Sequence, residues 1–270
     1  DQMTGAQASW LEGYNGAGMR IAVIDTGLDV DHQSFDADAF AHAIAEDEAE
    51  NGRTYKLMTA ADTASVLEKL NAYAKASGNL TAEQLYVNEK VPFGYNYVDV
   101  NLDITHDHDA QGEHGSHVEG IAAANAYIPN GDGTFSSALE KVLVQGVAPD
   151  AQIVTMKVFG AGGGAYDSDY MAAIEDAIVL GCDSVNLSLG SGSAGFSRVR
   201  SEFTDIMDSL TANGVVVCMS AGNSSDWAAN SVSGVPYLYD NEISLQTDGS
   251  PGSFTNSLAV ASVNNDGATG

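Results

Sequence analysis

The sequence predicts an α/β protein, a doubly wound parallel sheet with helices on both faces. Short runs rich in Val and Ile, with little polar alternation, have the composition of strands buried on both faces. Segments with apolar residues at helical spacing separate those runs, the alternation that builds a parallel α/β sheet. Glycines stand where several helical segments stop, as left-handed C-terminal caps require.

The first strand is expected at 20–24, leading into Asp25-Thr26-Gly27. Segment 36–90 is long, acidic and partly helical. Within it, 62–76 aligns Val66, Leu67, Leu70 and Tyr73 on one face and ends before Gly78. Its apolar positions are too few for an independent core, so it reads as an insertion or surface layer of one domain over 1–270. A second strand is expected at 94–98, and a small-residue helix opens near His114. Strand 152–159 runs into a glycine-rich turn. Helix 168–180 aligns Met171, Ile174 and Ile178, with Gly181 as its cap. Strand 184–189 follows. Helix 201–212 then aligns Phe203, Ile206, Met207 and Leu210 and ends at Gly214. Strands 215–220 and 258–263 enclose a loop-like stretch at 225–256, rich in Ser, Asn and Gly. Asp25, Gly160 to Gly164, Gly190 and Asn223 all fall just after strands, where sheets of this class bind ligands.

A net charge of −27 with only 10 basic residues excludes nucleic acid as a partner, because that binding rests on Lys and Arg neutralising phosphates. It disfavours anionic membrane surfaces for the same reason, and no apolar run is long enough to span a bilayer. Residues 29–50 carry eight acids and no Lys or Arg, which reads as a solvated acidic surface and is compatible with a structural calcium. Cys182 and Cys218 are expected to be buried free thiols.

Five segments carry chemistry. Asp25 closes an apolar strand, a costly place for a carboxylate unless it is hydrogen-bonded, for instance to a histidine whose tautomer it fixes. Alone it could equally be a turn aspartate. His114 precedes the helical run of Val118, Gly120 and Ile121; a helix N-terminus disfavours the charged imidazole and so suits a neutral base. His117 is expected to pack or hydrogen-bond, and His32 and His108 to lie at the surface. The pair His114 and His117 lacks the His-Glu-x-x-His arrangement of zinc proteases, so no catalytic metal is expected. In Ser220-Ala221-Gly222-Asn223, the Asn amide could donate to a developing oxyanion. Ser188-Leu189-Gly190 could pair its backbone with an extended peptide. Gly162, Gly163 and Gly164 could admit a close peptide backbone. The glycine segment also matches a dinucleotide fingerprint. It sits on a middle strand, however, and the net charge gives a pyrophosphate no attraction.

Taken together, Asp-Thr-Gly, His-Gly-Ser-His-Val-x-Gly, Asn-Leu-Ser-Leu-Gly and Ser-Ala-Gly-Asn resemble the subtilase (subtilisin-like) serine proteases, in that family's order and over nearly the whole chain. Residues 91–99 and the long 225–256 loop look most like its cell-envelope proteinase branch. The resemblance implies a secreted or cell-surface bacterial endopeptidase acting on protein and peptide substrates, with no cofactor for chemistry. It implies that Asp25 orients, His114 is the general base and Asn223 is the oxyanion donor. Gly162 to Gly164 and Ser188 to Gly190 would flank the substrate backbone, and Ser220 to Gly222 would line the pocket for the side chain before the scissile bond. Two departures stand out. Ser116 replaces the family's usual threonine, and Glu119 occupies a position where a small residue is usual and could crowd the helix. No serine in these 270 residues has the family's Gly-Thr-Ser-x-x-x-Pro setting. The resemblance therefore implies a catalytic domain truncated here before its nucleophile helix, the serine lying in a C-terminal remainder beyond a protease-associated insert, and a chain inactive by itself. The reading from another class is a non-catalytic module of the same fold that binds peptides or cell-surface partners.

Overall fold

The computed structural model describes residues 4–107, 109–190, 201–222, 251–252 and 256–262. Two units make up the chain, one ending at Asp183 and one beginning at Ser184.

The first unit opens with helix α1 (Ala6–Leu11) and strand β1 (Arg20–Asp25). Four helices follow: α2 (Ala37–Asn51), α3 (Ala60–Val66), α4 (Asn71–Lys75) and α5 (Ala82–Leu85). Next come β2 (Phe93–Asn96), α6 (His114–Ala123), β3 (Tyr127–Pro129), β4 (Phe135–Ser137), α7 (Ala138–Lys141), β5 (Gln152–Lys157) and α8 (Asp167–Val179). Its main sheet runs β2-β5-β1, all parallel, with Arg20 opposite Gln152 through to Asp25 opposite Lys157. All six residues of β5 are buried, as expected for a central parallel strand. Val23, Leu28, Phe35, Val91, Ala123 and Ile153 form a core cluster that joins this sheet to α6. Each of the larger side chains contributes about 1.5–3 kcal/mol by leaving water. Strands β3 and β4 form a separate antiparallel hairpin.

The second unit carries β6 (Ser184–Leu187), α9 (Ser201–Ala212), β7 (Val216–Ser220) and β8 (Leu258–Val260). Its strands are parallel in the order β6-β7-β8. Ile206, Met207 and Leu210 of α9 are buried as the periodicity predicts, while the side chain of Phe203 lies outside the described residues. Every predicted strand is present as a parallel strand flanked by helices, with ends displaced by a few residues. Val263, and the loop 225–256 apart from 251–252 and 256, lie outside the described residues.

Two helical expectations are corrected. Segment 62–76 is not one helix: α3 passes into a 3₁₀ turn at Leu67–Lys69, Leu70 turns extended, and α4 starts afresh. The cause lies far away in sequence. Asp176 of α8 accepts the N–H groups of Asn71 and Ala72 at 2.6 and 2.9 Å, capping a new helix start. Lys75 adds an ion pair to Asp169 at 2.6 Å. In α8 the buried face is Tyr170, Ala173, Ile174 and Ala177; Met171 and Ile178 are only half-buried. Gly181 follows this helix with a φ of +69°, and the N–H of Cys182 bonds back to the Ala177 carbonyl, the predicted glycine cap.

Segment 36–90 is anchored at its end by Lys90. This fully buried side chain donates to the carbonyls of Pro149 and Ala151, both at 2.7 Å, and lies over the Phe40 ring. Burial pulls its pKa down to about 7, against the opposing charge of Asp150. Cys182 is buried and Cys218 half-buried, both as free thiols.

Candidate active site

The parallel ladder between β1 and β5 delivers Asp25 to the C-terminal end of β1, where its side chain is 1% exposed. One oxygen, Oδ1, accepts the Thr26 N–H at 2.7 Å and meets His114 Nδ1 at 2.7 Å. Facing a carboxylate, Nδ1 is the nitrogen that carries the proton. Burial pushes the Asp25 carboxyl above its usual range, and the His114 and Thr26 hydrogen bonds oppose that push. His114 opens α6 with its side chain 52% exposed. The pair thus has a buried acid behind and an accessible imidazole in front.

Thr26 fixes the approach of the two segments. Its Oγ1 accepts the Gly115 N–H at 2.8 Å and donates to the Gly112 carbonyl at 3.1 Å. Gly115 has to be glycine: a Cβ there would lie 2.2 Å from the Gly27 carbonyl oxygen. Gly27 has a φ of +112°, and a Cβ there would strike the Ile104 carbonyl. Ser116 Oγ accepts the Asp29 N–H at 2.8 Å and lies 2.8 Å from His106 Nε2, so the serine in the threonine position holds the turn after β1.

A second tie was not foreseen from the sequence. Lys157, in register with Asp25, is 1% exposed; its Nζ donates to the Thr26 carbonyl and pairs with Asp109 in the loop before His114. A lysine inside the apolar run of β5 is the signal that could have revealed it, because a buried cation needs partners. Glu119 is a second buried ionisable group that the sequence did not reveal as buried. Where a small residue is usual, it is fully buried, accepting from Thr155 Oγ1 at 3.2 Å. Burial holds its carboxyl well above the usual range, Thr155 opposes that, and the charge of Asp25 adds to it. His117 is exposed rather than packed, His32 is exposed as expected, and His108 lies outside the described residues.

The remaining expected site residues divide between the units. In the first, Gly162 to Gly164 form the turn after β5, and Gly163 accepts from Gln111 Nε2 at 2.5 Å, which links the turn to the loop before His114. In the second, Ser188, Leu189 and Gly190 follow β6, while Ser220, Ala221 and Gly222 close and follow β7. Ser220 Oγ donates to the Leu189 carbonyl at 3.2 Å, and Asn186 Nδ2 donates to Ser188 Oγ at 2.9 Å. Asn223 lies outside the described residues. Among the described residues no group of three or more His, Cys, Asp or Glu is arranged to hold a metal ion. Nor is any described helix long and apolar enough to cross a membrane.

Comparison with known proteins places these motifs in context. The PI-type proteinase of Lactococcus lactis subsp. cremoris is 34% identical over 272 residues, covering 98% of this chain and 12% of that protein. The PII-type proteinase of Lacticaseibacillus paracasei is 33% identical over 273 residues, again 98% of this chain and 12% of the relative. A C5a peptidase of Streptococcus pyogenes is 30% identical over 213 residues, 78% of this chain and 15% of that protein. The chain therefore spans about an eighth of the length of the first two relatives. The Peptidase S8 model, described as the subtilase family, matches residues 16–269, and with the sheet and the Asp25–His114 pair in place, the chain belongs to the subtilase family.

Proposed function

We propose that this chain supplies the aspartate and histidine of an Asp-His-Ser relay in a secreted or cell-surface bacterial serine endopeptidase. The observation that carries the reading is the 2.7 Å hydrogen bond from half-exposed His114 to buried Asp25. The printed names of the relatives, proteinases and a peptidase, support peptide-bond hydrolysis.

In this reading, His114 Nε2 takes the proton of a serine hydroxyl as its oxygen attacks the scissile carbonyl. Asp25 holds the Nδ1–H tautomer and stabilises the imidazolium that forms. Asn223 donates to the carbonyl oxygen as it gains negative charge. His114 then returns the proton to the leaving amine, and a water repeats the sequence on the acyl-enzyme. Gly162 to Gly164 and Ser188 to Gly190 flank the substrate backbone, and Ser220 to Gly222 line the adjacent side-chain pocket. The serine comes from a segment C-terminal to these 270 residues, which form the first part of one catalytic domain with 36–90 as an insertion. The chemistry needs no cofactor, and the acidic surface of 29–50 is where a structural calcium would be held.

Fluorophosphonate labelling of the full-length protein and of the isolated chain tests this. The full-length protein should label and hydrolyse peptides, and the isolated chain should do neither. Hydrolysis by the pure isolated chain would overturn the placement of the nucleophile. The lack of a Gly-Thr-Ser serine in 1–270 favours one second reading, a peptide-binding module. Sequencing the polypeptide that co-purifies with this chain separates the two, since a companion carrying Gly-Thr-Ser supports the enzyme.

A further inference from the structure

Helix α6 carries ionisable side chains into opposite surroundings. His114 opens it at the surface, while Glu119 is fully buried. Glu119 Oε2 accepts from Thr155, and its Oε1 has no partner among the described residues. Thr155 stands on β5 opposite Val23, two residues before Asp25 on β1.

Helix α6 packs on β1 and β5, and the charged and titratable groups gathered there can be named. Asp25 comes from β1, Lys157 from β5, His114 and His117 from α6 itself, and Asp109 and the buried His106, 2.8 Å from Ser116 Oγ of α6, from the preceding loop. Lys157 is committed to Asp109 and the Thr26 carbonyl, His114 to Asp25, and His117 is exposed. The group that acts electrostatically on Glu119 is Asp25, a like charge. A carboxylate there has neither solvent nor a cation; an uncharged acid is far less costly.

Resting on the catalytic reading above, we propose that Glu119 is a positioning residue that works as an uncharged acid behind the Asp25–His114 pair, and that its ionisation sets the upper pH limit of activity. A second buried negative charge near Asp25 would act on α6, whose first residue is His114. The loss should therefore appear in kcat, with KM little changed.

The test is the pH dependence of kcat and KM for the full-length enzyme, from its acid limb to strongly alkaline pH, with melting curves at each pH. Wild type should lose kcat reversibly at the alkaline end while still folded. Glu119→Gln keeps the size and polarity and cannot ionise, so it should run about tenfold faster than wild type one pH unit above the wild-type limit. Should Glu119→Gln fail to fold, Glu119→Ala gives the same readout, because it too lacks the ionisable group. A folded variant that keeps the wild-type alkaline limb overturns the proposal for Glu119 alone, provided that activity still requires His114. A folded His114→Ala enzyme with wild-type rates overturns the catalytic reading, and this proposal with it.

Discussion

At Asp25 a single oxygen serves both the backbone N–H of Thr26 and the imidazole of His114, so the ring is anchored to the same atom that the strand end holds still. Replacing that carboxylate by an amide offers Nδ1 a donor as readily as an acceptor and releases the tautomer. Asp25→Asn in the full-length enzyme should leave the fold intact and lower kcat by about 10⁴, the size of effect known for this change in triad proteases. A folded His114→Ala variant should lose the acid limb of kcat/KM altogether, since that limb reports the base losing its proton. Both are read from pH–rate profiles. For Asn223→Ala, kcat should fall by about 10²–10³ with KM nearly unchanged, a magnitude known for loss of an oxyanion donor in this family. A change confined to KM would instead make Asn223 a substrate-binding residue.

Among the elements, the α4–α8 contact shows how a distant carboxylate rewrites local structure. Asp176 accepts from Asn71, Ala72 and Tyr97, yet burial raises its pKa to about 6. The folded protein therefore holds this proton more tightly than the unfolded chain, and stability declines as pH rises from about 4 to about 6. Asp176→Asn in the full-length protein should cost about 1–3 kcal/mol, because its amide meets a backbone donor. It should also flatten that decline, as melting temperatures across the window would show; an unchanged slope would exonerate Asp176. The same contact explains what periodicity could and could not reveal. The strand runs of β1, β5 and β7 were legible because they are rich in Val, Ile and Met with little polar alternation. The break at Leu70 was not, because its cause is the carboxylate of Asp176, 105 residues beyond Asn71 in sequence. Asp25 and His114 were legible from their short motifs. The Lys157–Asp109 tie and the burial of Glu119 were not, since each depends on which strand lies beside which.

For the whole molecule, the net charge of −27 sets the background against which every local contact acts. Like charges spread over the surface repel more in the compact state than in the unfolded chain. Raising salt from about 0.1 M to about 1 M shortens the screening length from about 10 Å to about 3 Å. The full-length protein should therefore melt at a higher temperature in sodium chloride at the upper end of that range, and a flat or falling melting temperature would show that this repulsion is not limiting. The fold also separates the site from the chain path that leads to it. Asp25 and His114 are 89 residues apart in sequence, yet Thr26, next to one, bonds to Gly112 and Gly115 on either side of the other. The gap between acid and imidazole is set by these local ties, with the Lys157–Asp109 pair and the Ser116–Asp29 bond beside them, rather than by the intervening segment. The exposed parts of 36–90 can therefore vary over evolutionary time while the spacing of the pair stays fixed, as long as its buried anchors, Phe40, Leu70, Leu85 and Lys90, remain in place.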